Sequence, residues 1–235
     1  MLSPAERKKK NFAKSLLPSF TAEMKKYEEL YQLFANDGYT KELCDLFADQ
    51  FVNEVKKPAH DDIIAAASLY NRVYDHKSAE FYLEMLSEKK MSSDDKFAWC
   101  VEMLKTISLL GRWRDAEDFR TENINFMQNY AAKKPLDEMA DMYISLALAD
   151  CAAKRYPEAL KLLKFGYKPH GRNDTSLLKI FITVVYIFAR SGDEEGLEGA
   201  VSNALGCLKL FSGYDFAWTK EYYEKCVSDA AQGIL

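Results

Sequence analysis

Gly111-Arg112-Trp113-Arg114-Asp115-Ala116 is the stretch whose reading decides the fold. An apolar-periodic run, residues 92–110, leads into it and another, residues 114–130, leaves it, so the glycine stands where one helix stops and the next begins. The same punctuation recurs at Asp37-Gly38-Tyr39-Thr40-Lys41-Glu42, Tyr74-Asp75-His76-Lys77-Ser78-Ala79 and Lys154-Arg155-Tyr156-Pro157-Glu158-Ala159. Each copy places a ring or an imidazole three residues before Glu42, Ala79, Ala116 or Ala159. The ring positions 39, 76, 113 and 156 lie 37, 37 and 43 residues apart, and a weaker copy, Ser191-Gly192-Asp193-Glu194-Glu195-Gly196, follows. Helix, turn and helix returning at such intervals predict hairpins that stack, because one hairpin of this length cannot bury its apolar face alone.

Outward from the turns, the chain carries a 3.6-residue apolar period throughout. Met24, Tyr27, Leu30, Tyr31 and Phe34 share one face of a helix that Gly38 ends. Leu43, Phe47, Phe51 and Val55 line the next, which Pro58 is expected to end because proline lacks the backbone donor and clashes with the preceding turn. Further helices are expected at 60–74 and 77–89, 92–110 and 114–130, 136–154 and 157–167, and 174–190 and 194–211, with an unpaired one at 216–231. Ser92 and Asn173 or Asp174 offer side-chain oxygens as N-caps, and Pro157 suits a first helical turn. No segment alternates with period two, so no strand is predicted. The expected organisation is an all-α chain with a flexible or loosely docked basic segment, 1–20, and one helical-repeat domain, 21–235. Its hairpins fall at about 21–57, 60–90, 92–132, 136–168 and 173–211, with a C-terminal capping helix at 214–235.

Ten glycines and six prolines in 235 residues are too few for a turn-rich β protein, and 48% hydrophobic with 29% charged residues is ordinary globular usage. A net charge of −4 does not suit a protein that coats nucleic acid or anionic lipid; the local exception is Arg7 to Lys10. Cys44, Cys100, Cys151, Cys207 and Cys226 are odd in number and widely spaced, which argues against a disulfide framework and against a zinc site. No signal peptide is read, and the most apolar run, 180–189, is about half the ~20 residues that a bilayer requires. A cytoplasmic protein without membrane insertion is expected.

Catalytic chemistry finds no footing in the pattern. His60, His76 and His170 belong to no metal-ligand motif. Gly192, Gly196 and Gly199 are interleaved with Asp193, Glu194, Glu195 and Glu198, which would repel a phosphate. The carboxylate pairs Asp61/Asp62, Asp94/Asp95 and Asp137/Glu138 sit at helix starts, where the helix dipole favours negative charge. No enzymatic activity, metal or cofactor is expected.

The turn at 111–116 and the stretch Arg155-Tyr156-Pro157-Glu158-Ala159-Leu160 resemble the middle of a tetratricopeptide repeat, with a small residue, an aromatic and an alanine at these offsets. Tyr143, Leu146, Ala147, Leu163 and Gly166 fall near that family's packing positions. The chain departs from the pattern at Asp150, at Arg120 and Asn123, and at Glu42, and the 43-residue interval exceeds the family's length of about 34. The resemblance implies a right-handed α-α superhelix, an α-solenoid of about five stacked antiparallel hairpins, whose first helices line a concave groove. In that register Tyr27, Tyr31, Ser68, Asn71, Arg72, Glu102, Lys105, Asp141, Ser145, Lys179, Tyr186 and Arg190 are the partner-binding candidates. Ile64, Ser68, Val101 and Ile144 stand where members that clamp a terminal carboxylate carry polar residues, so that clamp is not expected. The implied function is a non-catalytic module that binds a peptide or helix of a partner protein. The alternatives are a structural protein that forms a homodimer through Tyr222, Tyr223, Cys226 and Ala230 of the last helix, or a helical small-molecule sensor.

Overall fold

A left-handed residue closes the first helix of each hairpin and sets the direction of the second. In the computed structural model, which describes residues 33–34, 36–133, 136–167, 175–210 and 218–235, these residues are Gly38 (φ 74°), Tyr74 (62°), Gly111 (75°), Lys154 (60°) and Gly192 (75°). They belong to the five turns in which the sequence motif recurs. After Tyr74, Gly111 and Lys154 the helix end is closed by two reverse bonds, for example Lys154 N–H to Cys151 O (2.9 Å) and Arg155 N–H to Asp150 O (2.8 Å). Gly38 and Gly192 use a single bond to the carbonyls of Phe34 and Phe188, both at 3.1 Å.

Ten α-helices and one π-helical turn are present among the described residues, and no strand. They are α1 (Lys41–Ala48) with the π-turn Asp49–Asn53, α2 (His60–Arg72), α3 (His76–Glu84), α4 (Ser93–Leu109) and α5 (Trp113–Ala131). Then come α6 (Leu136–Ala152), α7 (Tyr156–Tyr167), α8 (Thr175–Ser191), α9 (Glu194–Leu210) and α10 (Trp218–Ala231). Most ends fall within about two residues of the sequence reading, and two lie farther from it. The helix containing α1 stops at Asn53, ahead of Pro58, where Asn53 Nδ2 bonds Asp49 Oδ1 (2.8 Å) and Tyr82 Oη (3.2 Å). α3 ends at Glu84 because the chain tightens to three-residue bonds, Met85 to Tyr82 and Leu86 to Leu83, in place of helical ones.

The second helices share a register. In each, the first intrahelical N–H bonds the N-cap carbonyl: Cys44 to Thr40, Ala79 to Asp75, Ala116 to Arg112, Ala159 to Arg155, and Leu197 to Asp193. The first four of these side chains are fully buried. Sequence alignment puts Glu42 in the alanine place of the first copy; the structure puts Cys44 there. The turn after Gly38 holds one residue more before its cap, Thr40, than the other turns do.

The described residues fall into two compact units, one within Met1–Asp95 and Tyr214–Glu221, the other within Lys96–Gly213 and Tyr222–Leu235. In the first unit α1 and its π-turn pack on α2, and α2 on α3. Tyr70 of α2 stacks on Tyr82 of α3 (5.4 Å) and gives its hydroxyl proton to Asp45 of α1 at 2.6 Å. In the second unit α4 meets α5 through rings, Trp99 against Phe119 (5.3 Å) and Phe97 against Tyr130 (5.7 Å). α6 packs on α5, α7 and α8, and α8 on α7 and α9. Gly166 of α7 sits so close to α6 and α8 that a Cβ there would touch Tyr143 Cβ and Ile180 Cδ1 at 3.4 Å.

Burial is divided unequally between the two helices of a pair. Asp62 to Asn71 of α2 are buried without interruption, and α6 buries every residue from Ile144 to Cys151. By contrast α5, with 19 residues, buries only Ala116, Met127 and Ala131. α2 and α6 are therefore enclosed on nearly all sides, while α5 presents a broad polar face. Ala159→Leu, which adds three carbons where the helices close up, is expected to cost about 1–3 kcal/mol. A urea midpoint unchanged by this substitution would show that the small side chain is not what sets the approach.

Candidate partner-binding surface

The residues proposed from sequence divide by access. Tyr27 and Tyr31 lie outside the described residues. Ser68, Asn71, Glu102, Ser145 and Tyr186 are buried, Ser145 completely. The Ser145 hydroxyl donates to Met142 O at 2.9 Å, and Asn71 Oδ1 accepts from His76 Nδ1, also at 2.9 Å. Their polar atoms thus serve the helix and its neighbour rather than an open face. Tyr186 keeps its ring beneath the Arg190 guanidinium (6.0 Å), and burial raises the pKa of its hydroxyl.

Arg72, Lys105, Asp141 and Lys179 are half-buried and Arg190 is exposed. Arg72 covers the ring of Tyr39 at 5.1 Å in the first unit. In the second unit Lys105 approaches Glu102 on its own helix (3.5 Å), and Lys179 of α8 reaches both oxygens of Asp141 on α6, at 3.0 and 3.2 Å. The structure therefore brings Asp141 together with Lys179 and Tyr186 with Arg190. The accessible members of the proposed set are thus all charged, and its described aromatic member, Tyr186, is nearly covered.

A second constellation has two members, Asp150 and Arg120, that the sequence showed only as departures from the repeat pattern. Asp150, buried at the end of α6, accepts from Arg120 Nη1 of α5 (2.7 Å) and from Arg155 Nε at the cap of α7 (2.9 Å). Arg155 Nη2 also donates to Glu117 Oε2 at 2.6 Å. Glu117 first and Asp150 second raise the pKa of Arg155 further above its ordinary value. A carboxylate can be buried here because two guanidiniums converge on it, and both keep access to solvent, so the cluster avoids the full desolvation of a sealed ion pair. The network borders a groove of about 510 Å3 lined by Glu117, Arg120, Asp150, Arg155, Glu158, Lys161, Leu162 and Phe165.

Removing the central carboxylate leaves two arginines that can turn to water, so Asp150→Ala is expected to cost about 1–3 kcal/mol in urea unfolding rather than to abolish folding. Arg120→Ala, which leaves Arg155 in place on Asp150, is expected to cost less. The reverse order would mean that Arg120 packs rather than pairs.

Among the described residues no group of three His, Cys, Asp or Glu side chains converges to hold a metal ion, and no helix is long and apolar enough to cross a membrane. His60 Nδ1 lies 3.6 Å from Asp95 at the start of α4. The cysteines are free, and burial pushes the thiols of Cys44 and Cys100 up to about 12 and that of Cys151 to about 11. These folded pKa values exceed the ordinary 9.0, so the stability contributed by keeping the thiols neutral is complete below pH 9 and is lost as pH rises toward 11–12. At pH 8, iodoacetamide should modify half-exposed Cys226 well before Cys44, Cys100 or Cys151, as read by mass spectrometry of the intact chain. Equal labelling of all four would show that the core opens freely.

No family model matches the sequence, and neither a curated protein nor a solved structure matches it.

Proposed function

We propose that the chain is a non-catalytic interaction module, similar in plan to tetratricopeptide-repeat proteins, whose stacked hairpins hold a peptide or helix of a partner protein along their first helices. The observation that carries this reading is the packing of α6 on α8, the first helices of consecutive hairpins, tied by the ion pair between Lys179 and Asp141. Hairpins continued in this way form a right-handed superhelix, with a concave side that offers an extended occupant many small contacts. Lys105, Asp141, Lys179 and Arg190 keep charge accessible on these helices, and such charges select a partner and speed its arrival more than they hold it. The anchors of affinity are then aromatic, with Tyr27 and Tyr31 as the proposed residues. A cytoplasmic location suits free cysteines, four of them buried.

The mechanism is complementarity, so the test is competition for a surface. Purified protein and a Lys105→Glu, Lys179→Glu double variant, each checked by circular dichroism and thermal melting, are used to capture partners from native lysate. A partner held by the wild type and reduced about tenfold or more on the folded variant supports the reading. Identical proteins captured in equal amount by both would overturn it.

A further inference from the structure

The groove between α5 and α7 has charges that are unevenly engaged. Arg155 is occupied by Glu117 and Asp150. Arg120 gives one N–H to Asp150 and has no other partner among the described residues, so most of its five donors stay available. Its side chain is 25% exposed. Lys161 is exposed and has no ion-pair partner among the described residues. Its counterweight, Glu158, is also unengaged, but it stands nearly one turn closer to the start of α7. Toward the other end of α7 come Leu162 and Phe165, the latter 49% exposed with its ring stacked on Tyr143 at 6.1 Å. A guanidinium fixed from behind by a buried carboxylate, an unpaired ammonium and an apolar shelf thus follow one another along the groove.

We propose that this groove is a second docking site, distinct from the first-helix surface, for an acidic segment of a partner protein in which an Asp or Glu lies within about one helical turn of a Leu, Phe or similar side chain. The carboxylate accepts from Arg120 and Lys161, while the apolar side chain covers Leu162 and Phe165. Asp150 contributes by holding Arg120 in place before the partner arrives, which reduces the ordering that binding would otherwise impose. The groove is open, so a small anion would leave much of its surface in water, whereas a peptide can extend past both ends. A basic partner segment would meet Arg120 and Lys161 as like charges, with Glu158 alone unengaged to draw it, and is disfavoured in the same place.

A random dodecapeptide library displayed on phage, selected on the full chain, tests this without assuming a sequence. The expected outcome is an enriched motif pairing an acidic residue with a large apolar one. A fluorescent peptide carrying that motif should bind Lys161→Glu and Phe165→Ala about tenfold more weakly than the wild type in anisotropy titrations. Lys77→Glu, an exposed charge reversal on α3 with the same effect on net charge, should leave its affinity within about twofold, which separates the groove from general repulsion. Circular dichroism confirms that each variant is folded. A basic motif, the absence of any motif, or binding unchanged by Lys161→Glu and Phe165→Ala would each overturn the proposal.

Discussion

The left-handed residue between paired helices is the constraint on which the rest of the structure depends. It lets the chain reverse within one or two residues, so a second helix starts immediately against the first, and it fixes which residue of the second helix arrives first at the contact. That residue is Cys44, Ala79, Ala116 or Ala159 in four cases, and each is fully buried. Glycine takes the left-handed conformation at little cost, but Tyr74 and Lys154 do so at roughly 1–2 kcal/mol each. In those two turns the paired reverse bonds and the cap contacts, Asp75 to Ser78 N–H (3.1 Å) and Arg155 to Asp150 and Glu117, offset that strain.

Much of the helical architecture was legible because its signals are local. Glycine at 38, 111 and 192, the ring residues and the alanines mark the turns, and helix existence follows from periodicity. What was not legible depended on register and on enclosure. The left-handed Gly38 stands one place later in its motif than Tyr74, Gly111 or Lys154 do in theirs, and one additional residue precedes Thr40, so the buried small position moves from 42 to 44, a shift that a gap-free alignment of the turns cannot show. A stripe pattern likewise does not reveal that a helix is covered on its other faces, although Ile63-Ile64-Ala65-Ala66-Ala67 in α2 carries the composition of such a helix. Hence Ser68 and Ser145 read as groove residues in sequence and are enclosed in the structure.

The charged residues that broke the repeat pattern illustrate a different kind of information. Asp150 and Arg120 each look like a lost packing residue when read singly, Arg155 looks like part of an ordinary turn, and the three make sense only as a set contributed by α5, α6 and the cap of α7. Two of them are 30 residues apart and the third sits in a turn, so no local window contains the set. Its strength comes from convergence on a single carboxylate oxygen and from the solvent access of both arginines.

The π-turn at Asp49–Asn53 records how the backbone takes in a surplus residue. Its backbone bond, from Glu54 N–H to Asp49 O at 3.0 Å, spans five residues instead of four, so the turn holds one residue more than an α-helical one. Phe47 and Phe51 keep their rings together at 5.0 Å within the core, while the widened loop of backbone is displaced toward Asn53, whose amide meets Asp49 and Tyr82. The wide turn thus ends the helix with Asn53 held against Tyr82 of α3, so the last turn of one helix is also its tie to another.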